Sequence, residues 1–320
     1  MRGPLSGILL ALLAFALFST HDVVVKLLGR SYAPFQIIFF SVLFSFPIST
    51  FALMRDRTEG NLKPVHPKWV AARTLSAITA SICAFYAFSV LPLADVYAIL
   101  FASPLLITLL AIPILGERVR LRRGLAILVG LVGIMVVLRP GQATLTSGHL
   151  AALVAAVCGA FSSVVVRRIG SEERALVLLL YPLMANFIVM GAMLPFVYQP
   201  MPVAHLGGFA LIAFLAFMGM TFTIAAYRRT EAALVAPMQY SQILWAIIYA
   251  ALVFGETPSA TTLAGAGIVI ASGLYIVFRE SRAGASATTP VLRSRSRVGT
   301  PAALRIGPLL RLRGQQGNGI

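Results

Sequence analysis

The sequence predicts an all-α membrane protein, with ten transmembrane helices in two inverted five-helix repeats and both termini cytoplasmic. Three observations predict it. Of 320 residues, 59% are hydrophobic and 11% charged, at a mean hydropathy of +0.90, well outside the composition of a soluble domain. The apolar residues fall into ten runs of spanning length, and the chain matches itself at a spacing near 140 residues.

The runs cover 5–28, 35–54, 69–91, 95–115, 122–138, 148–168, 174–196, 205–228, 232–254 and 260–278. Each is long enough for a helix crossing roughly 30 Å of hydrocarbon, and the boundaries are marked by Pro, Gly and charge. The links are short, so the spans are expected to form one bundle. With the N-terminus inside, the cytoplasmic ends and loops hold 14 basic residues, among them Arg55, Arg57, Arg118, Arg120, Arg167 and Arg168, while the outer loops hold only Arg30 and Arg139. That asymmetry sets the orientation. It also gives the formal charge of +16 a membrane explanation, so no nucleic-acid partner is expected. Arg2, the first apolar run and Ala14-Phe15-Ala16 loosely mimic a secretory signal, but the internal repeat argues against cleavage. Cys83 and Cys158 both sit in apolar runs and read as packing residues.

The repeat shows in short matches. Ser6-Gly7 recurs as Ser147-Gly148, and "VVVK…G" (Val23–Lys26, Gly29) recurs as "VVVR…G" (Val164–Arg167, Gly170), both at an offset of 141. "PILGE" ending at Glu117 matches "LVFGE" ending at Glu256 at an offset of 139. A unit of five helices is odd, so successive copies enter the membrane from opposite sides, an arrangement common in alternating-access carriers. A duplicated scaffold or intramembrane enzyme is the other reading. The expected units are residues 1–141, 142–280 and a basic, disordered cytoplasmic tail at 281–320, whose arginines would at most touch anionic lipid.

Ionisable groups inside spans mark functional sites. Asp22 and Lys26 are four apart, acid first, the favoured order for pairing on one helix face. Lys26 is expected to snorkel to the outer surface, with Asp22 a turn deeper, close to water and partly neutralised by it. Asp22 is a candidate for binding a proton or a cationic substrate group, and the alternative is a structural ion pair at the outer mouth. His21, the second proton-coupling candidate, points about 100° away from Asp22 on the helical wheel. In the second half their counterparts are Ser162 and Ser163, so only one half carries the acid.

In the ninth span Gln239, Gln242, Trp245 and Tyr249 follow at intervals of three, three and four, one helix face of two amides and two amphipathic rings. That face suits a planar ligand or else an interhelical seam. Pro237 just before it frees a backbone carbonyl. Tyr86 and Tyr97 are further substrate-binding candidates, with Asn186, Thr223, Tyr227 and Arg73 as weaker ones. Glu117 and Glu256 end helices at Gly-Glu turns and are expected to cap turns or lie at interfaces. No H-E-x-x-H, G-x-S-x-G or phosphate-binding glycine loop occurs, so neither an enzyme nor an ATP-driven pump is expected, and no metal or cofactor is implied.

The stretches Phe85 to Glu117 ("FYAFSVLPLADVYAILFASPLLITLLAIPILGE") and Tyr240 to Ser259 ("YSQILWAIIYAALVFGETPS") resemble the drug/metabolite transporter superfamily, specifically its EamA-type ten-helix members. "APMQYSQILWA" and "FGETP" look more like the subgroup of riboflavin and S-adenosylmethionine carriers. The resemblance implies a bundle of two five-helix inverted repeats moving small metabolites without ATP hydrolysis. The expected function is a secondary carrier in the inner (cytoplasmic) membrane for a small polar or aromatic metabolite, working by alternating access, with Asp22 as the candidate for proton coupling. The alternative is a non-carrier membrane protein, such as a lipid scramblase or structural component. A monomer and a homodimer are both compatible, because "GLVGIMVV" and "GAGIVIASG" can pack within or between protomers.

Overall fold

The structure, a computed structural model, describes residues 4–54, 62–116, 121–138, 146–170, 172–229 and 232–282. Among them every regular element is helical: α1 Pro4–Gly29, α2 Pro34–Met54, α3 Pro67–Val90, α4 Leu93–Leu100, α5 Ser103–Leu115, α6 Leu121–Leu138, α7 Ser147–Ile169, α8 Ala175–Val197, α9 Val203–Arg229, α10 Ala232–Val235, α11 Ser241–Tyr249 and α12 Ala260–Arg282. A 3₁₀ turn, Ala236–Tyr240, precedes α11 and a π turn, Ala250–Phe254, follows it. Seven helical runs are long and apolar enough to cross a membrane, and three shorter apolar helices accompany them. The expected capping role of Glu117, the loop residues Arg55, Arg57, Arg118, Arg120 and Arg139, and the tail beyond 282 lie outside the described residues.

Two expected single spans are broken. The fourth run bends between α4 and α5 because Pro104 has no N–H to return to Leu100 O, and the Ser103 hydroxyl donates to that carbonyl instead at 2.6 Å. In the ninth run, Pro237 falls in a 3₁₀ turn and α11 ends in a π turn. There Gly255 adopts a left-handed φ of 65° and the Glu256 N–H closes onto Ala250 O at 2.9 Å. The turn after α5 uses the same device, with Gly116 at φ 69°. Both Gly-Glu sequences thus place a glutamate directly after a glycine in a conformation that disfavours other residues.

α1 lies along α9, α3 along α7 and α6 along α12, while α2 covers α8 and α9. Small residues permit the close crossings. α7 buries Ala151, Ala152, Ala155, Ala156 and Ala160. Gly133 and Gly265 face each other so closely that a Cβ on Gly265 would stand 2.7 Å from Gly133 O. The two glycine-rich faces therefore pack within the protomer. Away from these seams, Leu5, Leu9 and Leu13 form an exposed apolar stripe on α1, as a lipid-facing surface requires.

Candidate functional site

α1 carries three ionisable side chains into the interior, with His21 2%, Asp22 1% and Lys26 4% exposed. An isolated buried carboxylate is costly, and here two donors offset that cost. The His21 Nδ1–H donates to Asp22 Oδ1 at 2.7 Å, and the Tyr97 hydroxyl from α4 donates to Asp22 Oδ2. A carboxylate accepting from both sides assigns the His21 proton to Nδ1, so in neutral imidazole Nε2 carries a lone pair. The ring stands edge-on to Phe85 at 6.0 Å.

His21 Nε2 has no hydrogen-bond partner among the described residues and borders a cavity of about 20 Å³, room for a water molecule rather than a metabolite. α2 contributes Ile38, Ser41, Val42 and Ser45 to the lining, α3 contributes Ser81 and Phe85, and α8 contributes Asn186. Ile212 and two alanines of α9 close it. Asp22 lies behind the His21 ring and is absent from that lining.

Lys26 and Asp22 do not form the expected pair. The Lys26 ammonium donates to both carboxylate oxygens of Glu256 at 2.7 Å and to Leu91 O at 2.9 Å, with the Phe254 ring 4.7 Å away. Nor does Lys26 snorkel to the surface. The left-handed Gly255 turns the chain so that Glu256 meets the end of α1, and a full carboxylate there outcompetes one already held by His21 and Tyr97. Glu256 is thus the counterion of Lys26, beyond the interface role expected of it. Asp22 is correspondingly farther from water than its sequence position suggests. His21, although a quarter turn away, bonds to it because adjacent side chains of this size converge.

At the other end of α3, the His66 ring bonds Glu172 at 2.6 Å, the His66 N–H donates to Glu173, and Arg168 lies over Trp69 at 4.7 Å. Polar contacts therefore close the bundle at both ends of α3.

The remaining candidates scatter. The Tyr86 hydroxyl bonds Ser147 at 2.7 Å, away from the cavity, because Tyr86 and Ser147 meet where α3 crosses α7. Tyr249 bonds Thr20 at 2.8 Å and stacks on Trp245 at a 6.2 Å centroid distance, so this face touches α1. Gln242 is buried and its Nε2 lacks a partner among the described residues, and Gln239 is half-buried in the 3₁₀ turn. No residue of the ninth run lines the small cavity, since α1 stands between them. Arg73 donates to Leu178 O and Thr223 to Gly219 O, and Tyr227 packs beside α1. Ser41, Ser45 and Ser81 were not singled out in the sequence. Their signal is polarity on helix faces otherwise apolar, which single serines show too often to be selective.

Long apolar helices packed around a buried polar centre are the architecture of a multi-pass membrane protein. The EamA-like transporter family model matches residues 5–139 and again 146–278, and the chain belongs to that family, as a transporter and not an enzyme. It is 27% identical over 88% of its length to 96% of an S-adenosylmethionine uptake transporter of Rickettsia prowazekii. A pseudopaline exporter of Pseudomonas aeruginosa is 26% identical over 83% of this chain and 93% of its own. A riboflavin transporter of Rhizobium johnstonii is 26% identical over 76% and 79%. One solved crystal structure shares the fold, with a TM-score of 0.57 and 19% identity over 88% of this chain and 98% of its own.

Proposed function

We propose that the protein is a proton-coupled secondary carrier of a small metabolite in the inner membrane, working by alternating access. The reading takes ten spanning helices in two inverted five-helix repeats, residues 1–141 and 142–280, with both termini and the tail at 281–320 cytoplasmic. Support comes from the double match of the family model at 5–139 and 146–278, from the seven long and three shorter apolar helices, and from the basic residues gathered on one side. S-adenosylmethionine, riboflavin, aromatic amino acids and nucleosides are the first candidate cargoes, the first two because relatives are named for them.

One observation carries the coupling. Asp22, 1% exposed, is held by His21 and Tyr97 and reaches the cavity only through the His21 ring. A carboxylate so placed changes protonation at the cost of reorganising two named bonds, and a change of charge there biases which end of the bundle opens. Lys26–Glu256 at one end and His66–Glu172 at the other are the polar contacts that the alternating-access reading takes as closing the two ends. The test is Asp22→Asn in proteoliposomes, measuring flux of the four candidate cargoes at two pH values. The variant is expected to lose pH-driven accumulation. Unchanged flux with unchanged pH dependence rejects the role of Asp22.

A further inference from the structure

We infer that the cavity beside His21 seats a primary ammonium group, so that the cargo is a metabolite bearing one; this rests on the carrier reading above and names the recognised end of its cargo. The inference comes from a census of donors and acceptors around the cavity. His21 commits Nδ1–H to Asp22. Ser45 donates its hydroxyl to Ser41 O at 2.7 Å and Ser81 donates to Ala77 O at 2.9 Å. Asn186 donates Nδ2 to Pro182 O at 3.0 Å, which fixes the amide orientation. Three lining atoms then have no hydrogen-bond partner among the described residues: His21 Nε2, Ser41 Oγ and Asn186 Oδ1. Each belongs to a side chain at least nine-tenths buried, with residue exposures of 2%, 4% and 5%.

With His21 as neutral imidazole all three are acceptors, and only the Ser41 hydroxyl can donate as well. Burying unpartnered acceptors is costly, and a ligand offering N–H groups removes that cost. A primary ammonium offers three. It is the size of a water molecule, as a cavity of about 20 Å³ requires, and it carries positive charge one imidazole away from the Asp22 carboxylate. The Phe85 ring in the wall adds an electron-rich surface that tolerates a cation. A carboxylate or phosphate would meet acceptors and a like charge. No Lys or Arg is among the lining residues, and the nearest cation along α1, Lys26, is committed to Glu256. The cavity has room for the ammonium group alone, so it recognises one end of the cargo only.

The test uses the purified full chain in two readouts, thermal stabilisation and proteoliposome flux. One panel carries a primary ammonium (S-adenosylmethionine, tryptophan, putrescine) and the other lacks it (N-acetyltryptophan, riboflavin, uridine). The expected result is stabilisation and flux from the ammonium panel, with at least a tenfold loss of binding when the amino group of the active compound is acetylated. Ser41→Ala removes an acceptor that has no partner among the described residues, so the ligand-free melting temperature should hold or rise while binding weakens roughly tenfold. Equal binding of an acetylated compound, or unchanged binding in Ser41→Ala, overturns the ammonium site. Flux of riboflavin or uridine alone overturns it and leaves the carrier reading standing. Flux and stabilisation from neither panel overturn both.

Discussion

Replacing Glu256 by Gln keeps the shape of the side chain and removes the charge that faces Lys26. The pair is close, with both oxygens 2.7 Å from the ammonium, and unequal in burial: the Lys26 side chain is 5% exposed and that of Glu256 31%. Breaking a buried pair from one side costs about 3–5 kcal/mol, whereas exposed pairs are worth roughly 0–1. Glu256→Gln leaves the buried ammonium without a counter-charge, with Leu91 O and the neutral amide oxygen as its acceptors, and should therefore cost about 2–3 kcal/mol. Lys26→Met strands the partly hydrated partner and a backbone carbonyl, which should cost about 1–2 kcal/mol. Once the charge at 26 is gone the charge at 256 has nothing to hold, so the double variant should resemble Lys26→Met alone. At roughly 2 °C per kcal/mol, thermal melts of detergent-purified protein should fall by about 4–6 °C for Glu256→Gln and by about 2–4 °C for both Lys26→Met and the double variant. Additivity of the two single variants to within about 0.5 kcal/mol would show that the pair contributes no coupling and would refute its role in fastening α1 to the turn after α11.

Gly265→Ala would put a Cβ 2.7 Å from Gly133 O and 2.5 Å from Val137 Cγ2, whereas Gly267 on the same helix meets nothing within 4 Å. The first should therefore cost about 1–3 kcal/mol in a thermal melt and Gly267→Ala next to nothing, and equal melts would contradict the tight α6–α12 crossing. Trp245→Ala removes the ring stacked on Tyr249 beside α1, so it should lower flux of a transported compound far more than Ile247→Ala, which lies off that face. Equal losses would mean general destabilisation.

Most of the bundle was legible because spanning helices announce themselves by length and apolarity, and every expected run contains helix. The breaks were less so. Pro104 is visible in the sequence, but its consequence depends on Ser103 turning back to Leu100 O, a local choice that apolar periodicity does not record. Asp22, His21 and Tyr97 were each identifiable as polar groups in apolar runs, yet their meeting joins α1 to α4 over 75 positions, a contact no spacing rule supplies. The i, i+4 rule favoured Asp22–Lys26 because it considers one helix only. A hint of the actual partner was available, since Lys26 and Glu256 each lie at the C-terminal end of an apolar run, and the structure brings those two ends together.

The two proposed repeats diverge where function would need them to. At the position of His21-Asp22 the second half has Ser162-Ser163, and Ser163 spends its hydroxyl on Gly159 O at 2.9 Å within its own helix, as serines in membrane helices do. At this position α7 packs against α3 along a row of alanines, while α1 carries the acid. In the proposed inverted repeat, two equivalent acids would make two sites related by a two-fold axis, and one acid would make a single site. α1 also carries Lys26, only about 6 Å along the axis from Asp22. On the proposed carrier reading, a displacement of α1 when the charge at Asp22 changes would move the Lys26 ammonium against Glu256 and strain that contact. In the proposed mechanism, concentrating both groups on one helix links occupancy to opening, with the counterion of Lys26 supplied by the far half of the chain.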